Sequence, residues 1–220
     1  MNRRMIDLET YPRRGHFAHF LRMDNPFVEM TAEVDITAWH DRVKREGLPF
    51  FLTFQYAVVH AANRIPAFRQ RILDGGIVEY AFCDPSYTVA RDDGTYGYCL
   101  AHADQPFDAY LAEAQEKQRG ISLGHDLAEE GDVLGQLFIT CVPWISYTAV
   151  HMPWPDTRFS NPSIGWGRYV RETRLVLRDG RPAEQETVRM PVTVMANHAL
   201  VDGIHLAQFY QYLDEELAKR

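Results

Sequence analysis

Apolar and polar residues alternate along residues 27–35, FVEMTAEVD. The apolar side of this pattern is formed by Val28, Met30, Ala32 and Val34. A period of two residues is typical of a strand that buries one face, because successive side chains point to opposite sides. The pattern therefore predicts a half-buried strand over 27–35. Thr37 is predicted to cap a following helix, which ends near Gly47.

The most apolar stretch of the chain runs from residue 48 to residue 66, LPFFLTFQYAVVHAANRIP. Gln55 and His60 interrupt it, and it is short for a membrane span, so it predicts a helix buried inside the protein. Pro49 suits the first turn of that helix, and Pro66 lies just past its end.

Other segments repeat these two periodicities. Strands are predicted within residues 76–82, 86–91, 136–142, 172–180 and 186–197. Helices are predicted at residues 106–118, with Gly120 as the stop signal, and after Gly203. Because helices and strands are interleaved, we expect an α/β fold in which helices pack on a mixed β-sheet.

The composition limits the kind of protein further. At 220 residues, with no repeat or low-complexity linker, the chain is expected to form one domain over residues 1–220. The net charge of -7 disfavours a nucleic-acid or anionic-membrane binder, because either needs a broad basic face. The three cysteines form no CxxC pair, and the N-terminal MNRRMIDLET lacks the apolar core of a signal peptide. We therefore expect a cytoplasmic location.

The segment ANHALVDGIH, residues 196–205, places a His, an Asp and a Gly just after an apolar run. Three interpretations of His198 are open. It could be a structural histidine with satisfied hydrogen bonds, or a general base. It could also be a metal ligand, although no HExxH pattern is present. That metal site would use His198, Asp202 and His205, with His16 and His19 as further candidate ligands.

A general base must be uncharged near pH 7, and this requirement constrains Asp202. A carboxylate packed against an imidazole holds the ring protonated, so Asp202 has to stay off His198, with its charge neutralised elsewhere. A guanidinium suits this task because it binds a carboxylate through two parallel N–H groups. The segment YPRRGHF, residues 11–17, offers Arg13 and Arg14 for the pairing.

NHALVDG, residues 197–203, resembles the HHxxxDG signature of chloramphenicol acetyltransferases and, more distantly, of the acyltransferase cores of 2-oxo-acid dehydrogenase complexes. Five further segments look like the chloramphenicol acetyltransferases in the same order: YPRRGHF, TAEVDIT, DPSYTV, ITCVPW and IHLAQF. The similarity runs over essentially the whole chain, which is identified as a member of that family. The resemblance implies a two-layer α/β sandwich.

The resemblance also implies roles for individual residues. His198 would be the general base that takes the proton from a substrate hydroxyl, whose oxygen then attacks the thioester of acetyl-CoA directly, with no acyl-enzyme and no metal. Thr140, in place of the family's Ser, would donate a hydrogen bond to the oxyanion. Asp202 would pair with Arg13 and fix the catalytic loop.

The same resemblance implies the partners. Trp144 and Tyr169 match positions that line the CoA side, and Arg168 is an available cation for its phosphates. The family is a homotrimer whose active sites lie between subunits, so His198 and Thr140 would meet across a subunit boundary. The expected partners are acetyl-CoA as co-substrate and a small-molecule alcohol, without nucleic acid or membrane.

Several positions depart from the family pattern. Asn197 stands in place of the signature's first His, which is not the base. In the acceptor pocket Phe20 replaces a Tyr, Val28 a Phe and Phe138 an Asn, while Gly165 replaces a Thr near the oxyanion site. The hydroxyl of the Tyr, the amide of the Asn and the hydroxyl of the Thr are thus lost. Their loss leaves the reaction class unchanged and weakens the case for chloramphenicol as the acceptor. The expected acceptor is chloramphenicol or a similar hydroxylated small molecule.

Two alternative functions use the same fold. A dehydrogenase-complex core is disfavoured, because the chain has no lipoyl-type region and no Ala/Pro linker. A non-catalytic protein that binds a drug or acyl-CoA stays open, since Asn197 and the altered pocket are compatible with it. A binder would need no base beside an oxyanion donor, so the retained His198, Asp202, Arg13 and Thr140 favour catalysis.

Overall fold

The computed structural model describes residues 3–121 and 131–219, and groups of helices and strands are interleaved along them. The strands are β1 (Arg3–Ile6), β2 (Phe27–Asp35), β3 (Gln70–Leu73), β4 (Gly76–Tyr80), β5 (Asp84–Ala90), β6 (Tyr96–Leu100), β7 (Gln136–Val142), β8 (Ser163–Gly167), β9 (Val170–Arg178) and β10 (Arg181–Asn197). The helices are α1 (Arg14–Phe20), α2 (Thr37–Glu46), α3 (Phe50–Asn63), α4 (Pro66–Arg69), α5 (Phe107–Ile121) and α6 (Gly203–Lys219).

A mixed β-sheet forms the centre of the fold, as the interleaved pattern predicts. Its strand order is β2-β10-β8-β7-β5-β6, and β9 pairs with β10. Strands β5, β7 and β8 run parallel to one another, whereas β2, β6, β9 and β10 pair antiparallel with their neighbours. A separate small sheet has the antiparallel order β1-β4-β3.

Helices α3 and α6 pack on each other and cover the central sheet, which confirms the α/β class. Most of α3 is buried, from Leu52 to Ala62, and α6 turns the apolar stripe Leu206, Phe209, Leu213 and Leu217 into the same core. Complete burial of one such side chain contributes about 1.5–3 kcal/mol. Among the described residues, none of the helices has the length and apolar character needed to cross a bilayer.

Strand β2 and helix α3 occupy the segments that the sequence predicts for them, and helix α2 ends before Gly47 as expected. The turn between β9 and β10 is also confirmed, because Asp179 and Gly180 both take left-handed φ angles, of 51° and 75°. Such a pair is typical of a two-residue hairpin loop.

Two expectations about helix ends are wrong. Thr37 does not cap α2, because its hydroxyl donates to Asp35 and accepts the backbone N–H of Val188, tying the helix start to β10. Gly120 does not stop α5, which continues to Ile121. A glycine ends a helix when it adopts a left-handed φ, and Gly120 does not adopt one.

Candidate active site

His198 lies in a tight turn between the last strand and the last helix. Its backbone N–H donates to the carbonyl of Pro26 at 2.7 Å, which extends the pairing of β10 with β2 by one hydrogen bond. The N–H groups of Leu200 and Val201 then bond back to the carbonyl of Asn197, each at 3.0 Å, and close the turn. The end of the sheet thereby sets the position of the His198 ring.

Asn197, which stands where the family signature has its first His, anchors this turn. The residue is buried, at 1% exposure, and its side-chain oxygen accepts the N–H of Ala199 at 3.0 Å. Its amide nitrogen donates to the carbonyls of Thr157 and Phe159 at 3.1 and 3.0 Å. One of these hydrogen bonds closes the turn and the other two tie it to the segment around Thr157 and Phe159, so Asn197 is a satisfied anchor for this turn.

The imidazole of His198 is oriented by two acceptors on one nitrogen. Its Nδ1 lies 2.8 Å from the carbonyl oxygen of Val201 and 3.1 Å from Oδ1 of Asp202. Because both partners accept hydrogen bonds, the proton of the neutral ring is assigned to Nδ1. This tautomer makes Nε2 the nitrogen that can take a proton from a substrate.

Phe20 packs flat against the same imidazole. The two ring centroids are 3.9 Å apart and the planes are inclined by only 15°. The His198 side chain nevertheless keeps 30% of its surface exposed. Val28 lies at this end of the sheet too, opposite Ala196 of β10. Two of the three predicted acceptor-pocket residues therefore lie in the same region as the histidine.

Asp202 is shared between Arg13 and His198. Its Oδ2 forms an ion pair with the guanidinium of Arg13, the pairing that the resemblance implies, and Arg13 also donates to the carbonyl of His198 at 3.3 Å. Arg14 instead pairs with Glu9 at the surface. The side chains of Arg13 and Asp202 are 16% and 28% exposed, so solvent screens this pair only in part.

The expectation that Asp202 stays off the imidazole is wrong. Asp202 follows His198 by four positions, and the turn that closes between them brings Oδ1 back onto the ring. The negative charge of Asp202 is nevertheless offset, because the guanidinium of Arg13 binds the other oxygen of the same carboxylate.

His205 supports this arrangement from the first turn of α6. Its Nδ1 accepts the backbone N–H of Asp202 at 2.9 Å, in the manner of a capping-box side chain that reaches back to the residue before the helix. Burial, followed by the positive charge of Arg13, lowers the pKa of His205 below its ordinary value of 6.5. Only the neutral ring can accept this hydrogen bond.

The lowered pKa of His205 predicts a loss of stability in mild acid. The unfolded chain binds a proton at His205 below about pH 6.5, whereas the folded chain resists it, so the free energy of unfolding falls as the pH drops below that value. In the His205→Asn variant, the side-chain oxygen can accept the same hydrogen bond that Nδ1 accepts, and the amide does not titrate. We expect urea midpoints at pH 7.5 and 5.5 to differ less in this variant than in the wild type. Equal differences would contradict the assignment.

Thr140 lies on a different part of the molecule, in the middle of the sheet. A large groove opens there, with a cavity volume of about 1690 Å³. Five residues that the resemblance assigns to the acceptor, the oxyanion and CoA line it: Phe138, Thr140, Trp144, Arg168 and Tyr169. Phe159, which the sequence analysis does not single out, stacks on Phe138 with the ring centroids 5.5 Å apart.

His198 does not reach Thr140 within one chain. Thr140 pairs with Gly165 of β8, which pairs in turn with Thr193 of β10. From Thr193 to His198 the chain advances about 17 Å, and the two strand spacings add about 10 Å sideways. Arg13, Asp202, Phe20 and Val28 stay with His198, so the predicted residues form two separate groups in a single chain.

The metal interpretation of His198 finds no matching geometry in the described ranges. Within residues 3–121 and 131–219, no group of three or more His, Cys, Asp or Glu side chains is arranged to hold a metal ion. The Nδ1 atoms of His198 and His205 are engaged in the hydrogen bonds given above.

Comparison with solved structures gives the class of this fold. A solved chloramphenicol acetyltransferase superposes with a TM-score of 0.83 at 27% identity and covers 98% of this chain and 99% of its own. The cubic core of the pyruvate dehydrogenase multienzyme complex shares the fold at a TM-score of 0.62 and 20% identity, covering 93% of this chain and 86% of its own. The chain therefore has the fold of the CoA-dependent acyltransferases.

Sequence comparison gives the family within this class. The family model described as chloramphenicol acetyltransferase matches residues 1–214. The chloramphenicol acetyltransferase of Streptomyces acrimycini is 29% identical, over 97% of this chain and 93% of the relative. That of Clostridium perfringens is 25% identical, over 96% and 93%. The chain belongs to the chloramphenicol acetyltransferase family, and it is an acyltransferase.

Proposed function

We propose that this protein is an acetyl-CoA-dependent O-acetyltransferase that acts on chloramphenicol or a similar hydroxylated small molecule. The proposal rests mainly on the hydrogen bonds and the exposure of His198. Its Nδ1 faces Val201 and Asp202, Asp202 is bound by Arg13, and the His198 side chain is 30% exposed. A structural histidine would need neither an exposed ring nor a guanidinium on its carboxylate partner, so this geometry favours the general base.

The chemistry requires no covalent enzyme intermediate. Nε2 of His198 accepts the proton of the substrate hydroxyl while that oxygen forms a bond to the carbonyl carbon of acetyl-CoA. The carbonyl oxygen becomes an oxyanion, to which the Thr140 hydroxyl donates a hydrogen bond. When the tetrahedral intermediate collapses, the carbon–sulfur bond breaks and the imidazolium returns its proton to the departing thiolate. The products are an acetyl ester and free CoA.

The groove around Thr140 suits the acetyl-CoA half of the reaction. Its volume of about 1690 Å³ is large, and Trp144 and Tyr169 line it together with Arg168. A guanidinium binds phosphate oxygens through paired N–H groups, so Arg168 is proposed to contact a phosphate of CoA. Trp144, with 77% of its surface exposed in one chain, offers a large apolar face for the ligand or for a neighbouring copy.

A complete site requires a second copy of the chain. The separation of His198 from Thr140 within one chain supports a homotrimer in which His198 of one copy faces Thr140 of the next. Each copy is proposed to be a single domain over residues 1–220. In such a ring of three copies every interface would carry one active site.

The acceptor pocket is proposed to take an alcohol with an apolar body. Phe20 and Val28 would contribute from the copy that supplies His198, and Phe138 from the copy that supplies Thr140. None of these side chains donates a hydrogen bond, so discrimination between acceptors would rest on shape and apolar contact. Chloramphenicol is the first compound to test, because the relatives are named for it.

Release of thiol from acetyl-CoA tests the proposal directly. We expect thiol release that depends on added chloramphenicol or on another alcohol in a panel, with one acetyl ester formed for each thiol. An acceptor whose hydroxyl is methylated serves as the control and should give no turnover. Saturable binding of acetyl-CoA and acceptor without thiol release would instead support the non-catalytic binding protein.

A further inference from the structure

We infer that Gly165 is a positioning residue that leaves room for the Thr140 rotamer on which the direction of the Thr140 hydroxyl depends. The inference rests on the proposed role of Thr140 as oxyanion donor. Gly165 would act through the space that its missing side chain leaves open, and it would not touch the substrate itself.

The two residues are direct neighbours in the sheet. Thr140 of β7 pairs with Gly165 of β8, so both project on the same face. A Cβ atom built on Gly165 would lie 2.9 Å from Cγ2 of Thr140 and 3.5 Å from Cε of Met152. The first distance is too short for two carbon atoms. The methyl group of Thr140 therefore occupies the space that a side chain at position 165 would need.

The backbone gives no other reason for a glycine at this position. Gly165 has no left-handed φ, and it lies in the middle of a strand with hydrogen-bonded neighbours on both sides. A glycine in a strand interior is destabilising relative to alanine because it loses more conformational freedom on folding. Its role here is therefore to provide space.

The position of the Thr140 methyl group determines where the hydroxyl points. Oγ1 and Cγ2 are bonded to the same tetrahedral carbon of fixed chirality, so one staggered position of Cγ2 leaves one position for Oγ1. A serine at position 140 would have no methyl group, and its hydroxyl could occupy three staggered positions. Gly165 thus leaves room for this position of Cγ2, and a side chain at position 165 would force the methyl group, and the hydroxyl with it, into another staggered position.

Gly165 also separates the Thr140 hydroxyl from neighbouring hydroxyl groups. Thr193 of β10 lies on the other side of Gly165, and its Oγ1 is 2.7 Å from Oγ1 of Thr31 and 3.4 Å from the hydroxyl of Tyr147. Two strand spacings, about 10 Å, separate Thr193 from Thr140. The Thr140 hydroxyl is therefore well separated from the group formed by Thr31, Thr193 and Tyr147.

Four variants test the inference: Gly165→Ala, Thr140→Ser, the double variant and Gly76→Ala. Gly76→Ala is the matched control, because it adds a Cβ to another strand glycine, where the nearest atom is the flexible end of Met5 at 3.4 Å. We expect Gly165→Ala to lower kcat by about 10- to 100-fold, approaching the loss of an oxyanion donor. The KM for acetyl-CoA should stay within about twofold, because the lost interaction forms only in the transition state.

The double variant gives the decisive comparison. Serine lacks Cγ2, so the methyl group added at position 165 should fit beside it, and kcat should return to within about threefold of Thr140→Ser. The melting temperature should follow the same order: lowered in Gly165→Ala, restored in the double variant and unchanged in Gly76→Ala. A wild-type kcat in Gly165→Ala, or a double variant as impaired as Gly165→Ala, would overturn the inference.

The melting temperatures keep this inference distinguishable from the proposed function. They detect the contact between Thr140 and Gly165 whether or not the protein turns over a given alcohol. Full activity in Thr140→Val would overturn the role of Thr140, and the positioning role of Gly165 with it, while restored stability in the double variant would still show the steric contact.

Discussion

Replacing His198 by Ala lowers kcat by about 100- to 10,000-fold, because the substrate hydroxyl then has no base to accept its proton during attack on the thioester. The binding of acetyl-CoA should change little, since His198 is proposed to contact the acceptor hydroxyl, whereas the residues around Thr140 are proposed to hold acetyl-CoA. Steady-state kinetics with thiol detection measure both quantities. The expected signature is a lost kcat with a nearly unchanged KM for acetyl-CoA.

His102→Ala is the matched control for this variant. His102 is a largely exposed histidine that pairs with Glu113 after strand β6, far along the chain from the catalytic turn. It should retain wild-type activity. His198→Ala with wild-type turnover, in a sample of unchanged oligomeric state, would remove His198 from its proposed role.

Arg13→Ala should lower both activity and stability. The carboxylate of Asp202 would keep its contact with His198 Nδ1 and lose the guanidinium that offsets its charge. The turn that carries His198 would also lose the hydrogen bond from Arg13 to the His198 carbonyl, so the imidazole would be held less firmly in the orientation that a general base requires. We expect kcat to fall by about 10- to 100-fold.

The loss of stability follows from the partial burial of the same pair. Removing one partner of a fully buried ion pair costs about 3–5 kcal/mol, and the exposure of Arg13 and Asp202 reduces this to roughly 1–3 kcal/mol. Urea unfolding measures it. Arg14→Ala is the control, because Arg14 pairs with Glu9 at the surface and should leave both properties unchanged. An Arg13→Ala variant with wild-type activity and stability would show that Asp202 has another partner.

Much of the fold follows from local patterns in the sequence. Strand β2 is recognisable from its alternation, although in one chain Val34 is buried on its apolar side and Met30 is exposed. Helix α3 is recognisable as a buried helix because most of its side chains face the core. Strand β8, SIGWG, has no such pattern, since it is buried on both faces and contains two glycines. Gly120 misleads because a stop signal depends on backbone φ, which the residue type alone does not determine.

The residues of the site can be predicted from the sequence, whereas several contacts between them cannot. The motif and the family resemblance point to the pairing of Arg13 with Asp202, which the structure contains. The contact of Asp202 with His198 could not be inferred, because it depends on how tightly the turn after β10 closes. The cap that His205 provides and the anchoring by Asn197 depend on the same turn. The spacing of residues along the sequence predicts neither of these two roles.

One active site is proposed to combine His198 of one copy with Thr140 of the next, and complementation between two inactive variants is the sharpest test of this arrangement. His198→Ala and Thr140→Val are co-assembled, and assemblies that contain both are isolated through two different affinity tags. In a cyclic trimer of mixed composition one of the three interfaces pairs an intact His198 with an intact Thr140, so about a third of wild-type activity should return. If the mixed assemblies are no more active than either variant alone, the proposal of a site shared between two copies is contradicted.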